Sequence, residues 1–128
     1  MITYTVGVIR EFVAQHFLFG ADFGAENRHH SHAYRMEAIF EGDRLDQHGY
    51  LVDIAEVKRH LDILIERFRD KTLNDDPALA GRNPGLEPFA RVLTEAMVAA
   101  LPSPTLTAVQ VKLWENAEAF ATCRIPVR

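Results

Sequence analysis

The period of the hydrophobic pattern changes twice along this chain of 128 residues, and this change limits the folds that the chain can adopt. Near both ends, apolar and polar residues alternate with a period of two, which is typical of half-buried strands. In the middle, apolar residues recur every three or four positions, which is typical of amphipathic helices. Strands that are separated from helices in this way predict an α+β fold, an antiparallel sheet with both helices on one face.

Four segments carry the strand pattern. The first lies within residues 1–19, where alternate positions are mostly apolar and the same parity leads to His16. The second runs from about His30 to Phe40, and the last two cover about 109–115 and 119–125. In the last strand the only cysteine, Cys123, is in phase with the apolar positions, so we interpret it as a packed core residue.

Two segments carry the helix pattern. Asp53 occupies an N-cap position with Glu56 three residues later, which predicts a capping box at the start of the first helix. Its apolar face is predicted to contain Ile54, Val57, Leu61, Leu64 and Phe68. The second helix is predicted at about Leu86 to Leu101, with an inner stripe of Leu86, Phe89, Leu93, Met97 and Ala100. The polar connection 69–84 is long, and connections of this length usually carry function.

Composition and charge limit the class of protein. The chain is 48% hydrophobic and 25% charged, as expected for one globular domain over residues 1–128. A single cysteine excludes a disulfide scaffold, and a net charge of −4 disfavours nucleic-acid binding. Because no apolar run approaches the length of about 20 residues that spans a bilayer, and no signal-type segment opens the chain, we expect a cytoplasmic protein without membrane contact.

The histidines suggest a metal site. His30 and His32 are two positions apart on a predicted strand, so their rings lie on one side of it. If the first two strands pair as a hairpin across the loop at 20–27, His16 joins them, whereas His29 has the wrong parity to pair with His32. Three neutral imidazoles leave one position open on a tetrahedral zinc, the pattern of catalytic sites. Such clusters also occur without a metal, and the spacing alone leaves both interpretations open.

Several motifs in order along the chain resemble those of one family. They are Phe12-Val13-Ala14-Gln15-His16, His30-Ser31-His32-Ala33-Tyr34, Gly49-Tyr50-Leu51-Val52-Asp53, Leu73-Asn74, Asn83-Pro84 with Glu87 and Ala90, and Glu115. With these motifs the chain resembles the 6-pyruvoyl tetrahydropterin and 6-carboxytetrahydropterin synthases. Each motif is short, but together they extend over most of the chain.

The resemblance implies a tunnelling fold, in which a four-stranded antiparallel sheet is backed by two helices. It implies a homo-oligomer in which trimers close a twelve-stranded barrel and two trimers form a hexamer. It also implies a Zn²⁺ ion held by His16, His30 and His32, and a pterin held by Glu115. A carboxylate suits that second role, because it accepts two parallel hydrogen bonds from the pterin edge.

The catalytic residues of the family are matched less well. Four residues before His30, the synthases have a cysteine and this chain has Glu26. Members with glutamate there are associated with cleavage of the dihydroneopterin triphosphate side chain to a 6-hydroxymethyl pterin, for which a carboxylate is a plausible general base. Alternatively, Glu26 is a solvent-exposed loop residue without a catalytic role, with Arg28 nearby as its charge partner. A further departure is Gly85, where the family has a threonine that contacts substrate.

The catalytic Asp-His pair of the family is also changed. Depending on the register, Arg69 and Asp70 or Asp70 and Lys71 occupy its place, and neither register contains a histidine. Histidine is the side chain suited to proton transfer near neutral pH, and arginine is not. Asp70 or Lys71 is therefore the candidate for that role.

These observations predict a zinc-dependent lyase that acts on the side chain of a dihydropterin, either dihydroneopterin or its triphosphate. The predicted catalytic residues are Glu26, Asp70 and Lys71, with Glu115 binding the substrate. The standard synthase reaction is less expected, because the cysteine and the Asp-His pair are missing. The alternative is a zinc- and pterin-binding homologue without synthase activity.

Overall fold

The computed structural model describes residues 1–128 and consists of one four-stranded sheet and two α-helices. The strands are β1 (Tyr4–His16), β2 (His30–Gly42), β3 (Leu106–Trp114) and β4 (Phe120–Pro126), and the helices are α1 (Ile54–Glu66) and α2 (Leu86–Ala100). The sheet is antiparallel throughout, with the order β1-β2-β3-β4. The predicted α+β class and element order are therefore confirmed.

Both helices cover the same face of the sheet. α2 packs on β3 and β4, and α1 packs on α2 and β1. On this side most even-numbered residues of β1 and β2 are buried, including Phe12, Tyr34 and Met36, whereas most odd-numbered residues of the two strands remain accessible. The alternation that predicts these strands thus corresponds to a helix-covered face and an outer face.

The pairing of β1 with β2 brings the predicted histidines to one end of the sheet. The two strands form thirteen consecutive pairs, from Tyr4 opposite Gly42 to His16 opposite His30. Since side chains alternate between faces, His32 lies on the same face as His16 and His30. This face is the helix-covered one, so the three rings lie at the edge of the hydrophobic core.

The predicted start of α1 is confirmed, and so is its apolar face except at one residue. Val57, Leu61 and Phe68 are buried, and Leu64 packs against the core. The Asp53 carboxylate accepts a hydrogen bond from the Ala55 N–H, 3.0 Å away. Glu56 pairs with Arg59 and does not complete a capping box. The buried residues of the helix are Val57, Leu61 and Ile65. The prediction was wrong at Ile54, which is 47% exposed at the first helical position, because the first turn extends beyond the sheet and core.

Aromatic rings connect α2 to the sheet close to the histidines. The Phe89 ring lies 5.3 Å from the Tyr34 ring and 5.0 Å from the Phe68 ring between centroids, in edge-on arrangements. Tyr34 in turn contacts the His32 ring at 5.6 Å. This cluster gives the site a rigid apolar base.

No helix in the structure has the length and apolar character needed to cross a membrane.

A bidentate ion pair fastens the connection between the helices. The Arg67 guanidinium donates to both oxygens of the Asp76 carboxylate, at 2.8 and 2.6 Å, and the same carboxylate accepts from the Ala78 N–H. The hydrogen bond from Arg67 holds the pKa of Asp76 below its usual value. The pair therefore links the end of α1 to the segment that leads to α2.

We expect Asp76→Asn to lower the free energy of unfolding by about 1 kcal/mol at neutral pH. Because the carboxyl pKa is lower in the folded protein, the stabilisation is present above the unfolded value, about pH 4, and is lost as the pH falls through the folded value. Urea unfolding of both proteins should therefore give a difference that shrinks in acid. Asp75→Asn is the control, since that exposed carboxylate makes no hydrogen bond, and a difference independent of pH would contradict the assignment.

Candidate metal centre

Three imidazole rings converge at the shared end of β1 and β2. The Nε2 atom of His30 lies 2.9 Å from Nε2 of His16 and 3.1 Å from Nε2 of His32. The rings are nearly perpendicular to one another, with centroids 4.5 to 4.9 Å apart. The hairpin predicted to bring these three residues together is therefore present.

Backbone carbonyl groups orient two of the rings. His16 Nδ1 lies 2.8 Å from the Pro84 oxygen, and His30 Nδ1 lies 2.6 Å from the Arg28 oxygen. Because a carbonyl oxygen only accepts, each Nδ1 carries the proton, and in the neutral rings each Nε2 presents a lone pair. This second-sphere bond from the far ring nitrogen is the usual support of a metal-binding histidine.

Glu26 adds a carboxylate to the same point. It lies in a single 3₁₀ turn, Gly24–Asn27, between the two strands. Its Oε2 atom is 2.8 Å from Nε2 of His30 and 3.9 Å from Nε2 of His16. The four ligand atoms of Glu26 and the three histidines all lie within 4.8 Å of one another.

This donor set fits a metal ion. With neutral rings, the lone pairs of His16 and His30 and an anionic oxygen face one another without a proton between them, which is favourable only around a cation. Imidazole with carboxylate suits zinc among the common metals. His16 is 2% exposed, and burial lowers its pKa, as do the nearby His30 and His32, against a raising effect of the Pro84 carbonyl. The ring is therefore neutral at pH 7, the state a metal requires.

Glu115 lies on the His32 side of the cluster. Its Oε2 atom is 3.8 Å from Nε2 of His32, and its side chain is 27% exposed. It borders a cleft of about 660 Å³ together with His32, Arg35 and Trp114. The Trp114 indole is held by a 2.6 Å hydrogen bond from its N–H to Glu37, so this wall of the cleft is fixed.

Asp70 and Lys71 lie apart from the histidines within the chain. Their segment runs along the outer edge of β1, where the Asp70 N–H donates to the Val13 oxygen and the Gln15 N–H donates to the Lys71 oxygen. The Lys71 ammonium donates to the Glu66 carbonyl at 3.2 Å. Asp70 adopts a φ of 55°, the left-handed region in which Asp is better tolerated than most residues. The structure thus brings Glu26 and Glu115 to the metal ligands but does not bring Asp70 or Lys71.

Comparisons with known proteins identify the family of the chain. A family model described as 6-pyruvoyl tetrahydropterin synthase matches residues 5–126. The chain belongs to this family. No protein of curated function matches it in sequence.

Several solved structures share the fold. The 6-pyruvoyl tetrahydropterin synthase of Caenorhabditis elegans is 21% identical, with a TM-score of 0.83 and 96% of each chain covered. The Plasmodium vivax enzyme, in a variant whose catalytic glutamate is replaced by alanine, is 13% identical, with a TM-score of 0.81 and coverage of 99% of this chain and 100% of that chain. An uncharacterised Wolinella succinogenes protein is 14% identical, with a TM-score of 0.72 and full coverage of both chains. The predicted family and tunnelling fold are therefore confirmed.

Two asparagines from the family motifs anchor the chain beyond His16. Asn74 accepts from the Phe17 N–H at 3.0 Å and donates to the Phe17 oxygen at 2.9 Å, and Asn83 makes the same pair of bonds with Phe19 at 2.8 and 3.0 Å. Each amide replaces a missing strand partner. Their place in the motifs marked these residues, but only the fold shows that they position the segment after His16.

We expect Asn74→Ala to lower the free energy of unfolding by about 1–3 kcal/mol, because both polar groups of the Phe17 backbone lose their partner. Urea unfolding measures the loss, and faster hydrogen exchange of the Phe17 amide locates it. The matched control is Asp75→Ala, whose exposed side chain makes no hydrogen bond. Unchanged exchange at Phe17 would contradict the anchoring role.

Proposed function

We propose that this family member is a zinc-dependent lyase that cleaves the side chain of a dihydropterin, dihydroneopterin or its triphosphate. The observation that carries the proposal is the meeting of His16, His30 and His32 with the Glu26 carboxylate at one point. A metal-binding cluster beside a carboxylate is suited to proton removal from a hydroxyl. The family fold and the cleft at Glu115 support a pterin as the molecule that bears it.

The three histidines are proposed to hold the zinc. When bound, zinc supplies Lewis acidity that polarises oxygens of the substrate side chain. The carbonyls of Pro84 and Arg28 orient the rings of His16 and His30, so their Nε2 atoms would be in place before the metal binds.

Glu26 is the proposed general base. Its carboxylate takes the proton from a side-chain hydroxyl, and the adjacent carbon–carbon bond then breaks. The hydroxyl carbon leaves as an aldehyde, and the electron pair of the broken bond passes into the dihydropterin ring. Return of the proton to the ring-side carbon completes a retro-aldol cleavage. The catalytic glutamate of the Plasmodium vivax enzyme supports a carboxylate in this role.

Glu115 is proposed to hold the pterin ring. Its carboxylate is partly exposed at the border of the cleft and lies next to His32, so a ring held there has its side chain near the zinc ligands. The 2-amino and ring N–H groups of a pterin match a carboxylate that accepts two hydrogen bonds.

Asp70 and Lys71 stay in the proposal as proton-transfer residues that act across chains. The edge strands of the sheet are β1 and β4, and the segment with Asp70 and Lys71 pairs with β1 only near Val13 and Gln15. A barrel of several copies would place the rest of β1 of one copy beside β4 of the next. The ends of β1 and β4 nearest the site lie at the same end of the sheet. Asp70 and Lys71, which flank that end of β1, would then face the site of the neighbouring copy.

We expect purified protein with zinc to convert dihydroneopterin or its triphosphate to a 6-hydroxymethyl pterin. Chromatography of the products measures this conversion. Glu26→Gln should lower kcat by about 10²- to 10⁴-fold, the usual contribution of a general base. Glu118→Gln, on an exposed turn, is the control. If the wild type forms no product, or if removal of zinc with a chelator leaves product formation unchanged, the proposal of a zinc-dependent lyase is refuted.

Glu115→Gln is expected to weaken binding of the pterin by about 10- to 100-fold, because a charge-assisted pair of hydrogen bonds is lost. Pterin fluorescence measures the affinity, with Glu118→Gln again as control. Unchanged affinity would show that the ring is held elsewhere. Tight binding that depends on Glu115 but gives no product would instead identify a binding protein that has lost turnover.

A further inference from the structure

We infer that Glu26 is a fourth metal ligand while the substrate is absent, and that substrate binding displaces its carboxylate from the ion. The first part depends only on the geometry of the cluster. The second part rests on the proposed function, since it gives the same carboxylate its role as base after release.

The distances favour a closed four-ligand site. The Glu26 Oε2 atom lies 2.8 Å from Nε2 of His30 and 3.9 Å from Nε2 of His16, and all its distances to the three imidazole ligand atoms are within 4.8 Å. Glu115, the other carboxylate nearby, remains 3.8 Å from its nearest imidazole nitrogen. Three imidazoles with one carboxylate complete a tetrahedral zinc site, whereas three imidazoles alone leave a position for substrate.

The loop of Glu26 is held firmly along its backbone. The Leu18 N–H donates to the backbone carbonyl oxygen of Glu26 at 2.9 Å. The Asn27 side chain donates to the carbonyls of Leu18 and Ala21 and accepts from the Phe23 N–H. A substrate cannot therefore displace the carboxylate by moving the loop without breaking several hydrogen bonds.

The side chain of Glu26 is, by contrast, free to turn. It is 49% exposed, and the polar side-chain atoms nearest to its carboxylate are Nε2 of His30 at 2.8 Å and Nε2 of His16 at 3.9 Å. Rotation of the side chain alone opens the fourth position, and it costs no other contact. The released carboxylate stays next to the position it has left, which is where the substrate oxygen and its proton arrive.

Metal affinity without any pterin tests the first part. Zinc binding is measured by competition with a coloured chelator for the wild type, Glu26→Ala, Glu26→Gln and the control Glu118→Gln. We expect both Glu26 variants to lose affinity by about tenfold or more, since changes of outer partners alone already cost that much, and the control to be unchanged. Circular dichroism of each variant verifies its fold, and wild-type affinity in a folded Glu26→Ala overturns the inference.

Cobalt-substituted protein tests the displacement, because the visible spectrum of Co²⁺ reports the number and type of its ligands. Addition of dihydroneopterin should change the cobalt spectrum of the wild type. The cobalt spectrum of Glu26→Ala should differ from that of the wild type before any pterin is added. If fluorescence shows that the pterin is bound but the cobalt spectrum of the wild type does not change, the displacement of Glu26 is overturned.

The outcomes separate this inference from the proposed function. Loss of turnover in Glu26→Ala with wild-type zinc affinity overturns the fourth ligand and leaves the lyase standing. Reduced zinc affinity in Glu26→Ala, in a protein whose wild type shows no turnover, supports the fourth ligand and removes the lyase.

Discussion

The register between β1 and β2 is the constraint on which both the core and the site depend. One set of pairings places Phe12 opposite Tyr34 in the core and His16 opposite His30 at the end of the sheet. Because side chains alternate between faces, a slip of one residue would expose the aromatic pair and carry the histidines of that strand to the outer face. Packing of the hydrophobic core therefore also fixes the geometry of the three histidines.

The convergence of lone pairs at one point is unfavourable by itself, and the surrounding structure maintains it. Two carbonyl groups hold the rings of His16 and His30 from behind, and the Phe89 cluster supports Tyr34 and His32 from below. The segment 69–84 supplies the Pro84 carbonyl and both anchoring asparagines. This long connection has little regular structure, but its hydrogen bonds orient the His16 ring and hold the segment that follows His16.

Strand parity predicted that the three histidines share a face if the first two strands pair, because each residue's face follows from its position in an alternating pattern. The separation of strand periods from helix periods predicted the fold class. It could not predict the carbonyls of Pro84 and Arg28, since a backbone oxygen is present at every residue and only the path of the chain selects one. The apolar face of α1 was misjudged at Ile54 for a related reason, because periodicity does not show where a helix leaves the core. The positions of Asp70 and Lys71 depend on the edge of a strand, and a sequence pattern does not show which strand has a free edge.

The fixed backbone around Glu26 also affects how such a protein can evolve. The hydrogen bonds of that loop come from main-chain groups and from Asn27, so they do not depend on which side chain occupies position 26. A single substitution there would replace the side chain that faces the histidines while the histidines, the loop and the core stay as they are. The same scaffold can therefore carry a different chemical group at this point, and new chemistry can arise without an intermediate that fails to fold.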